Sequence, residues 1–301
     1  MGIHTSANRS LWSHLLAILL LLATVSACGP RPAPSGGSPE SQQTIENKGS
    51  DTLVNLALAW AEAYAKVRPD VRISVTGGGS GTGIAALLNG TVDIANASRA
   101  MKDEELAAAR AAGFEPVQTP VALDAIAVVV NPSNPVDELT IPQLSDIFTG
   151  RITNWRQVGG PDRPIVLLSR ESNSGTYVYF LENVVRQGRA DSTDLFSPNA
   201  LLMTSSEGIG NEVRQNPNAI GYDGLGYVTE GQKTVRIAAR PGAPYVAPTI
   251  ETVVNGSYPI ARPLYMITRG QPTGVIAEYL QWIRGPEGQA IVRELGFVPL
   301  Q

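Results

Sequence analysis

A glycine-rich stretch at residues 76–83, TGGGSGTG, is the feature that most restricts how this chain can fold. It follows an alternating apolar run at 71–75, which predicts a strand, and it precedes an apolar run at 84–88, which predicts the start of a helix. A turn of this kind directs several backbone N–H groups at one point, where the helix dipole adds positive potential. The stretch therefore predicts a site for a small anion, to which Ser80 and Thr82 add hydroxyl donors. A flexible connection is the alternative.

Two familiar nucleotide motifs are absent from this stretch. It contains no lysine, whereas the phosphate-binding loop of many nucleotide-binding proteins needs Gly-Lys followed by Ser or Thr. It also does not match the G-x-G-x-x-G pattern with a later acidic residue. Nucleotide binding is therefore not predicted.

The composition allows two domains and argues against a polyanionic partner. The chain has 301 residues, 43% of them hydrophobic and 17% charged, and its formal net charge is -4. This length accommodates two domains of ordinary size. Because there is no basic excess, we predict no nucleic-acid partner and no attraction to an anionic membrane surface. An acidic protein still binds an anion where local donors converge.

Histidine and cysteine occur only near the beginning of the chain, at His4, His14 and Cys28. If a leader is removed there, no such side chain is left for a Ser-His-Asp or Cys-His nucleophile, or for a zinc site. We therefore predict no catalytic residue, no metal and no cofactor. Three aspartates leave a metal site as an alternative that their spacing does not require: Asp51, Asp93 and Asp223.

Residues 1–27 have the composition of an export signal. A basic residue is followed by an apolar run that is too short to span a membrane, which takes about 20 residues. The sequence VSAC at 25–28 resembles a bacterial lipobox, which implies cleavage before Cys28 and a diacylglycerol group on its thiol. Residues 28–43 are rich in Pro, Gly and Ser and predict a disordered tether. The chain is thus expected at the extracytoplasmic face of a membrane, in a periplasm or at a cell surface.

Predicted strands and helices alternate along the rest of the chain, which indicates an α/β fold with mainly parallel sheets. Strands are predicted at 45–48, 71–75, 92–99, 125–130, 165–168, 219–222, 235–238 and 264–268. Helices are predicted at 53–66, 84–88, 102–112, 141–148, 177–186, 209–215, 274–284 and 286–295. The two prolines within 132–135 predict a crossing between two lobes.

Four polar turns follow predicted strands: 49–52, 76–83, the end of the run at 92–99, and 169–176. Ligands of α/β sheets bind beyond the carboxyl ends of the strands, so we expect the four turns to share one site. The last turn contains Arg170, whose guanidinium is a rigid fork suited to a tetrahedral oxyanion. A surface ion pair with a neighbouring acid is the alternative for this arginine.

In this order the four turns, together with IFTGRITNW at 147–155 and AIGY at 219–222, resemble the substrate-binding subunit of the phosphate ABC transporter, the PstS family. The resemblance covers nearly all of the chain after the tether. It implies a type II periplasmic-binding-protein fold, in which a ligand cleft lies between two α/β lobes with mainly parallel sheets. We expect one lobe from 44–130 plus 251–301 and the other from 131–250.

The resemblance also implies roles for individual residues. Ser80 would donate from the glycine-rich turn, and Arg170 would be the main charged ligand. Further donors would come from the first and last turns, at Ser50, Thr52, Ser174, Gly175 and Thr176.

One position departs from some relatives. Those relatives place an aspartate in the third turn, where it accepts the proton of bound phosphate, and this chain has Ser98 there. Asp51, which lies between two hydroxyl donors of the first turn, is then a candidate for the acceptor. Capping of the following helix is the alternative for Asp51.

The resemblance implies a receptor and not an enzyme. It would be a lipid-anchored, extracytoplasmic protein that binds inorganic phosphate and delivers it to the permease subunits of an ABC importer. The alternatives are a receptor for another oxyanion such as sulfate or molybdate, a phosphate sensor, and a phosphatase that uses the same cleft.

Overall fold

Strands and helices alternate along most of the residues that the computed structural model describes, which are Gly2 and 42–301. The strands are β1 (Gln43–Gly49), β2 (Val71–Thr76), β3 (Ile94–Ala97), β4 (Val117–Val130), β5 (Glu138–Thr140), β6 (Val166–Arg170), β7 (Leu201–Met203), β8 (Ala219–Gly224), β9 (Lys233–Thr234), β10 (Arg236–Ala238) and β11 (Ala261–Thr268). The helices are α1 (Val54–Val67), α2 (Ser80–Leu88), α3 (Asp103–Ala111), α4 (Ile141–Phe148), α5 (Gly175–Phe180), α6 (Ser206–Gln215), α7 (Ile250–Val254), α8 (Gly274–Arg284) and α9 (Pro286–Glu294).

The predicted export signal, the lipobox with Cys28 and nearly all of the tether lie outside the described residues. Gln43, which we predicted in the tether, belongs to β1 because its N–H donates to the Asp70 carbonyl at 3.0 Å. Within residues 42–301, the helices are all too short or too polar to cross a bilayer.

Nine strands form one mixed sheet in the order β2-β1-β3-β11-β4-β8-β6-β7, with β9 added beside β4. The outer strands pair in parallel, β1 with β2 and β3, and β6 with β7 and β8. The central strands β11 and β4 are antiparallel to each other and to their outer neighbours. The predicted parallel pairing thus describes the two outer groups of strands, and an antiparallel pair joins them.

Strand β4 is longer than the sequence predicted. We predicted a strand only at 125–130, because Asp124 interrupts the apolar pattern, but the strand runs without a break from Val117 to Val130. Asp124 lies opposite Arg262 in the register with β11. This cross-strand partner neutralises the carboxylate, so the strand continues through a charged residue that is fully buried.

Two large apolar cores each include part of β4, one its first half and the other its second half. One combines the beginning and the end of the described chain and includes Trp60 and Phe297. The other is built from the middle and includes Phe148, Tyr222 and the second half of β4. The chain thus enters the middle core within β4, before the prolines at 132–135. Residues 42–301 form a single compact unit by contacts, so the predicted lobe boundaries stay a prediction.

Candidate functional site

The glycine-rich turn packs directly against the turn that follows β6. Gly78 and Gly79 have φ angles of 113° and 90°, which side-chain-bearing residues rarely adopt, and α2 begins immediately afterwards. A Cβ on Gly79 would lie 2.7 Å from the Asn173 carbonyl oxygen, and the Gly81 N–H donates to that oxygen at 3.0 Å. Two of the four predicted turns are therefore in contact.

The third turn joins them through two buried serines. The Ser98 N–H donates to Ser80 Oγ at 3.0 Å, and the two hydroxyl oxygens are 3.3 Å apart. A Cβ on Gly175 would overlap Ser80 Oγ and would lie 2.5 Å from Ser98 Oγ. Both hydroxyls therefore lie against the first residue of α5.

The first turn reaches the same place through Thr52, whose hydroxyl oxygen is 2.8 Å from that of Thr176. Ser174 caps α5, because its Oγ accepts the N–H groups of Thr176 and Tyr177. Ser50 is buried, and its hydroxyl has no hydrogen-bond partner among the residues that are described. The four turns thus supply buried hydroxyls to one cluster.

Arg170 lies at the edge of this cluster and is only 1% exposed. Its Nη2 is 3.0 Å from Asp51 Oδ2, and its Nη1 donates to Ser206 Oγ at 2.9 Å. Its remaining contacts are the carbonyl oxygens of Met203 and Thr204, at 3.3 and 3.2 Å. The turn between β7 and α6 therefore fixes the guanidinium.

Asp51 does not cap the helix that follows it, so the capping alternative is wrong. Its Oδ2 accepts the Ser206 N–H at 2.8 Å in addition to pairing with Arg170. Asp51 is the first residue of a 3-10 turn, Asp51–Leu53, that precedes α1. The N-terminus of α1 carries no side-chain cap hydrogen bond. The carboxylate is therefore held among donors of the site and not at the start of α1.

The sequence interpretation did not place Asp223 in the site, although it considered this residue for a metal. Asp223 is fully buried at the end of β8, and its Oδ1 accepts the Gly224 N–H at 2.8 Å. Burial raises its pKa to about 7, and the nearby Arg170 and Ser206 oppose that rise. It is a proton-binding group close to Arg170.

The alternative of a metal site formed by three aspartates is not supported by their positions. The carboxylate of Asp93 accepts the N–H of Glu46 in the middle of β1, whereas Asp51 follows the end of that strand. Within Gly2 and 42–301, His, Cys, Asp and Glu side chains form no group of three suited to a metal.

A buried ion pair beneath the cluster was also missed. Arg262 Nη2 is 2.9 Å from Asp124 Oδ2 and donates to Thr176 Oγ1, also at 2.9 Å. Burial raises the pKa of Asp124, and the coulombic attraction of Arg262 opposes this rise. Asp124 and Arg262 are single charges within two apolar strands, and their pairing would have been visible only from the register of β4 with β11.

The turn at 203–206 was missed as well, although its sequence signal was present. Thr204, Ser205 and Ser206 form a hydroxyl run between a strand and a helix, as in the other four turns. By contrast, Arg99, which follows Ser98, is paired by two bonds of 2.7 Å with Glu105.

The structure groups the predicted ligand-holding residues, which we call the hydroxyl cluster: Ser50, Asp51, Thr52, Ser80, Ser98, Arg170, Ser174, Gly175 and Thr176. Ser50 belongs to it as the chain neighbour of Asp51 and forms no side-chain hydrogen bond among the described residues. Most of its members are neutral donors, and its one arginine is paired with a carboxylate. Such a set suits a small oxyanion, because several hydroxyls share its charge.

Known proteins with similar sequences fit this description. Residues 34–287 match the PBP superfamily domain. The phosphate-binding protein PstS of Pseudomonas aeruginosa is 34% identical over 309 residues, covering 95% of this chain and 94% of that protein. PstS of Bacillus subtilis is 29% identical, covering 97% of this chain and 94% of that protein.

Solved structures agree with the predicted fold. A putative phosphate ABC transporter substrate-binding protein with bound phosphate from Clostridium perfringens is 33% identical, with a TM-score of 0.76 over 86% of this chain and 100% of that one. An ABC-type phosphate transport receptor from Vibrio cholerae is 29% identical, with a TM-score of 0.68 over 85% of this chain and 100% of that one. The two-lobed α/β fold predicted from the sequence is confirmed. The chain therefore belongs to the PstS-type phosphate-binding proteins of the PBP superfamily.

Proposed function

We propose that this chain is an extracytoplasmic receptor that binds inorganic phosphate in the hydroxyl cluster and delivers it to the permease of an ABC importer. The observation that carries the proposal is the convergence of buried hydroxyls from four separate turns beside Arg170. Similarity to proteins that are named as phosphate-binding or phosphate-transport receptors supports it. Because the donors follow different strands, one bound ligand would accept hydrogen bonds from several turns at once, as expected for a receptor that closes on its substrate.

The charge of the cluster favours phosphate over a fully ionised oxyanion. Asp51 balances the charge of Arg170, and Asp223 adds a carboxyl group whose pKa burial raises to about 7. A carboxylate accepts a hydrogen bond from a protonated phosphate oxygen but repels an anion that has no proton. With sulfate no hydrogen bond offsets this repulsion, so the arrangement discriminates against sulfate.

Delivery at a membrane would use a lipid on Cys28, which the Pro-, Gly- and Ser-rich segment joins to β1. The apolar run and the small residues before Cys28 support this anchor. Cells that express the Cys28→Ala variant should release the protein from membranes on alkaline washing, whereas the original chain stays bound. Retention of the variant would contradict the anchor and leave the phosphate proposal intact.

The phosphate proposal itself is tested by equilibrium dialysis with radiolabelled phosphate. Ser98→Ala removes a buried donor and should weaken binding by about tenfold, since a lost hydrogen bond to a charged group costs roughly 1.5–3 kcal/mol. Ser257→Ala is the control, because this serine is exposed and binds only local backbone. Equal phosphate binding by the two variants would contradict the proposed site.

A further inference from the structure

The ion pair between Asp124 and Arg262 is buried beneath the hydroxyl cluster. Asp124 is 0% and Arg262 2% exposed, and Arg262 contacts Asp124 Oδ2 through Nε at 3.2 Å and Nη2 at 2.9 Å. A buried ion pair contributes little net stability, because desolvation offsets the attraction between the charges. Its contact with the cluster points to a different role.

Arg262 donates to the hydroxyl of Thr176, which belongs to the cluster. A guanidinium only donates hydrogen bonds, so Thr176 Oγ1 must accept from Arg262 Nη2. The same hydroxyl is 2.8 Å from Thr52 Oγ1, so these two oxygens share one proton between them. The three side chains form a short chain of hydrogen bonds that starts at a permanent cation.

The hydroxyl protons in this series of hydrogen bonds can be counted. Thr52 and Thr176 hold two hydroxyl protons, and one of them lies in the bond between the two oxygens. The other hydroxyl proton is not used in that bond, so it can be donated to an acceptor outside the pair. The positive charge of Arg262 polarises Thr176 and strengthens the outgoing O–H donor, as in other cooperative chains.

We propose that Arg262, held in place by Asp124, is a positioning residue that strengthens the Thr52–Thr176 pair as a donor toward the bound oxyanion. This inference rests on the proposed phosphate site and deepens it. It assigns the buried ion pair to ligand binding, although neither of its members needs to touch the ligand.

A double-mutant cycle on the full-length chain tests the inference. The Asp124→Asn, Arg262→Met variant removes both charges, and Asn keeps an acceptor for the Leu225 N–H that now donates to Asp124 Oδ1. Its phosphate dissociation constant is compared with those of the original chain, of Thr176→Val, and of the combined variant. Arg68→Met is the control, because Arg68 forms a two-bond pair with Asp70.

We expect the charge-free variant to bind phosphate about tenfold more weakly, as for the loss of a hydrogen bond to a charged group. In the Thr176→Val background the same change should alter affinity by no more than about twofold, because the intermediate hydroxyl is already gone. Arg262→Lys, which keeps a cationic donor beside Asp124, should recover part of the loss. The Arg68→Met control should bind as the original chain does.

Losses that simply multiply in the combined variant would overturn the inference, because they would show a general structural effect. Unchanged affinity of the charge-free variant would overturn it as well. If that variant does not fold, Arg262→Lys is compared in the two backgrounds in its place, and equal effects in both would overturn it. Failure of the original chain to bind phosphate would overturn the proposed function and this inference together, and the original chain alone reveals that outcome.

Discussion

Asp51 Oδ2 lies 3.0 Å from Arg170 Nη2, so the turn after β1 holds the guanidinium that ends β6. Arg170 is almost fully buried, whereas the Asp51 side chain is 23% exposed. The carboxylate therefore balances the arginine while keeping access to solvent. In the proposed site, Arg170 supplies directed donors to an anion, and the pair as a whole adds no net charge.

Arg170→Ala should weaken phosphate binding by about 2–5 kcal/mol, as for truncation of a buried charged partner in an interface. It should also lower the unfolding free energy without ligand by about 1–3 kcal/mol, because the oxygens of Met203, Thr204 and Ser206 lose a donor. Titration calorimetry and urea unfolding measure the two effects. Arg156→Ala is the matched control, since Arg156 is exposed and pairs only at the surface. Unchanged phosphate affinity in Arg170→Ala would refute the assignment of the charged ligand.

Asp51→Asn should admit sulfate as a competitor of phosphate. Asn keeps an acceptor for the Ser206 N–H, but the charge of Arg170 is then no longer balanced. The variant should also show a shallower pH dependence of phosphate binding, because a carboxylate that favours protonated phosphate is gone. Displacement of labelled phosphate by sulfate measures the change, with the exposed Asp162→Asn as control. If sulfate still does not compete, Asp51 is not the discriminating acceptor.

Asp223 should make the fold less stable as pH rises from acid to neutral. Its pKa is 3.8 ordinarily and about 7 when buried, so between these values the folded chain holds a proton that the unfolded chain has lost. The stabilising contribution is therefore complete below pH 3.8 and is lost as pH rises to about 7. Over this pH range, the raised pKa of Asp223 corresponds to a loss of about 4 kcal/mol in the free energy of unfolding.

Asp223→Asn should remove this part of the pH dependence. Urea unfolding at about pH 4 and about pH 8 should show a smaller difference in the variant than in the original chain. Asp124, whose pKa is also raised by burial, contributes with the same sign in both proteins, so part of the difference remains. An equal difference in both proteins would show that Asp223 does not titrate in this range.

Gly175→Ala should prevent the cluster from closing on phosphate. The added Cβ would overlap Ser80 Oγ and approach Ser98 Oγ to 2.5 Å. Small-angle scattering should show that phosphate makes the original chain more compact but leaves the variant unchanged. Gly208→Ala is the control, because its Cβ would approach Ser205 Oγ only to 3.3 Å, which a shift of a few tenths of an ångström relieves. Normal compaction of Gly175→Ala would argue against closure at this residue.

Local sequence signals predicted most of the fold. Hydrophobic periodicity located the longer helices and strands, because each buries one face or both, but it missed the short elements β5, β7, β9 and α7. The glycine-rich turn was predictable from Gly78 and Gly79, since their φ angles are unsuited to other residues. The shared position of the four turns followed from the rule that strand ends meet at one edge of a sheet.

Contacts between distant segments could not be predicted in the same way. The unbroken course of β4 depends on Arg262, which lies far along the chain and neutralises Asp124 only after β11 has paired. Asp223 and Ser206 reach Arg170 because β6 is flanked by β8 and β7. A single sequence carries no register for such pairs, so the residues that surround Arg170 were found only from the structure.

The most direct test of the central claim is a calorimetric titration of the full-length chain with phosphate, followed by sulfate. We expect saturable binding of one phosphate per chain that excess sulfate does not displace. An absence of phosphate binding, or binding of sulfate at least as tight as that of phosphate, would contradict it.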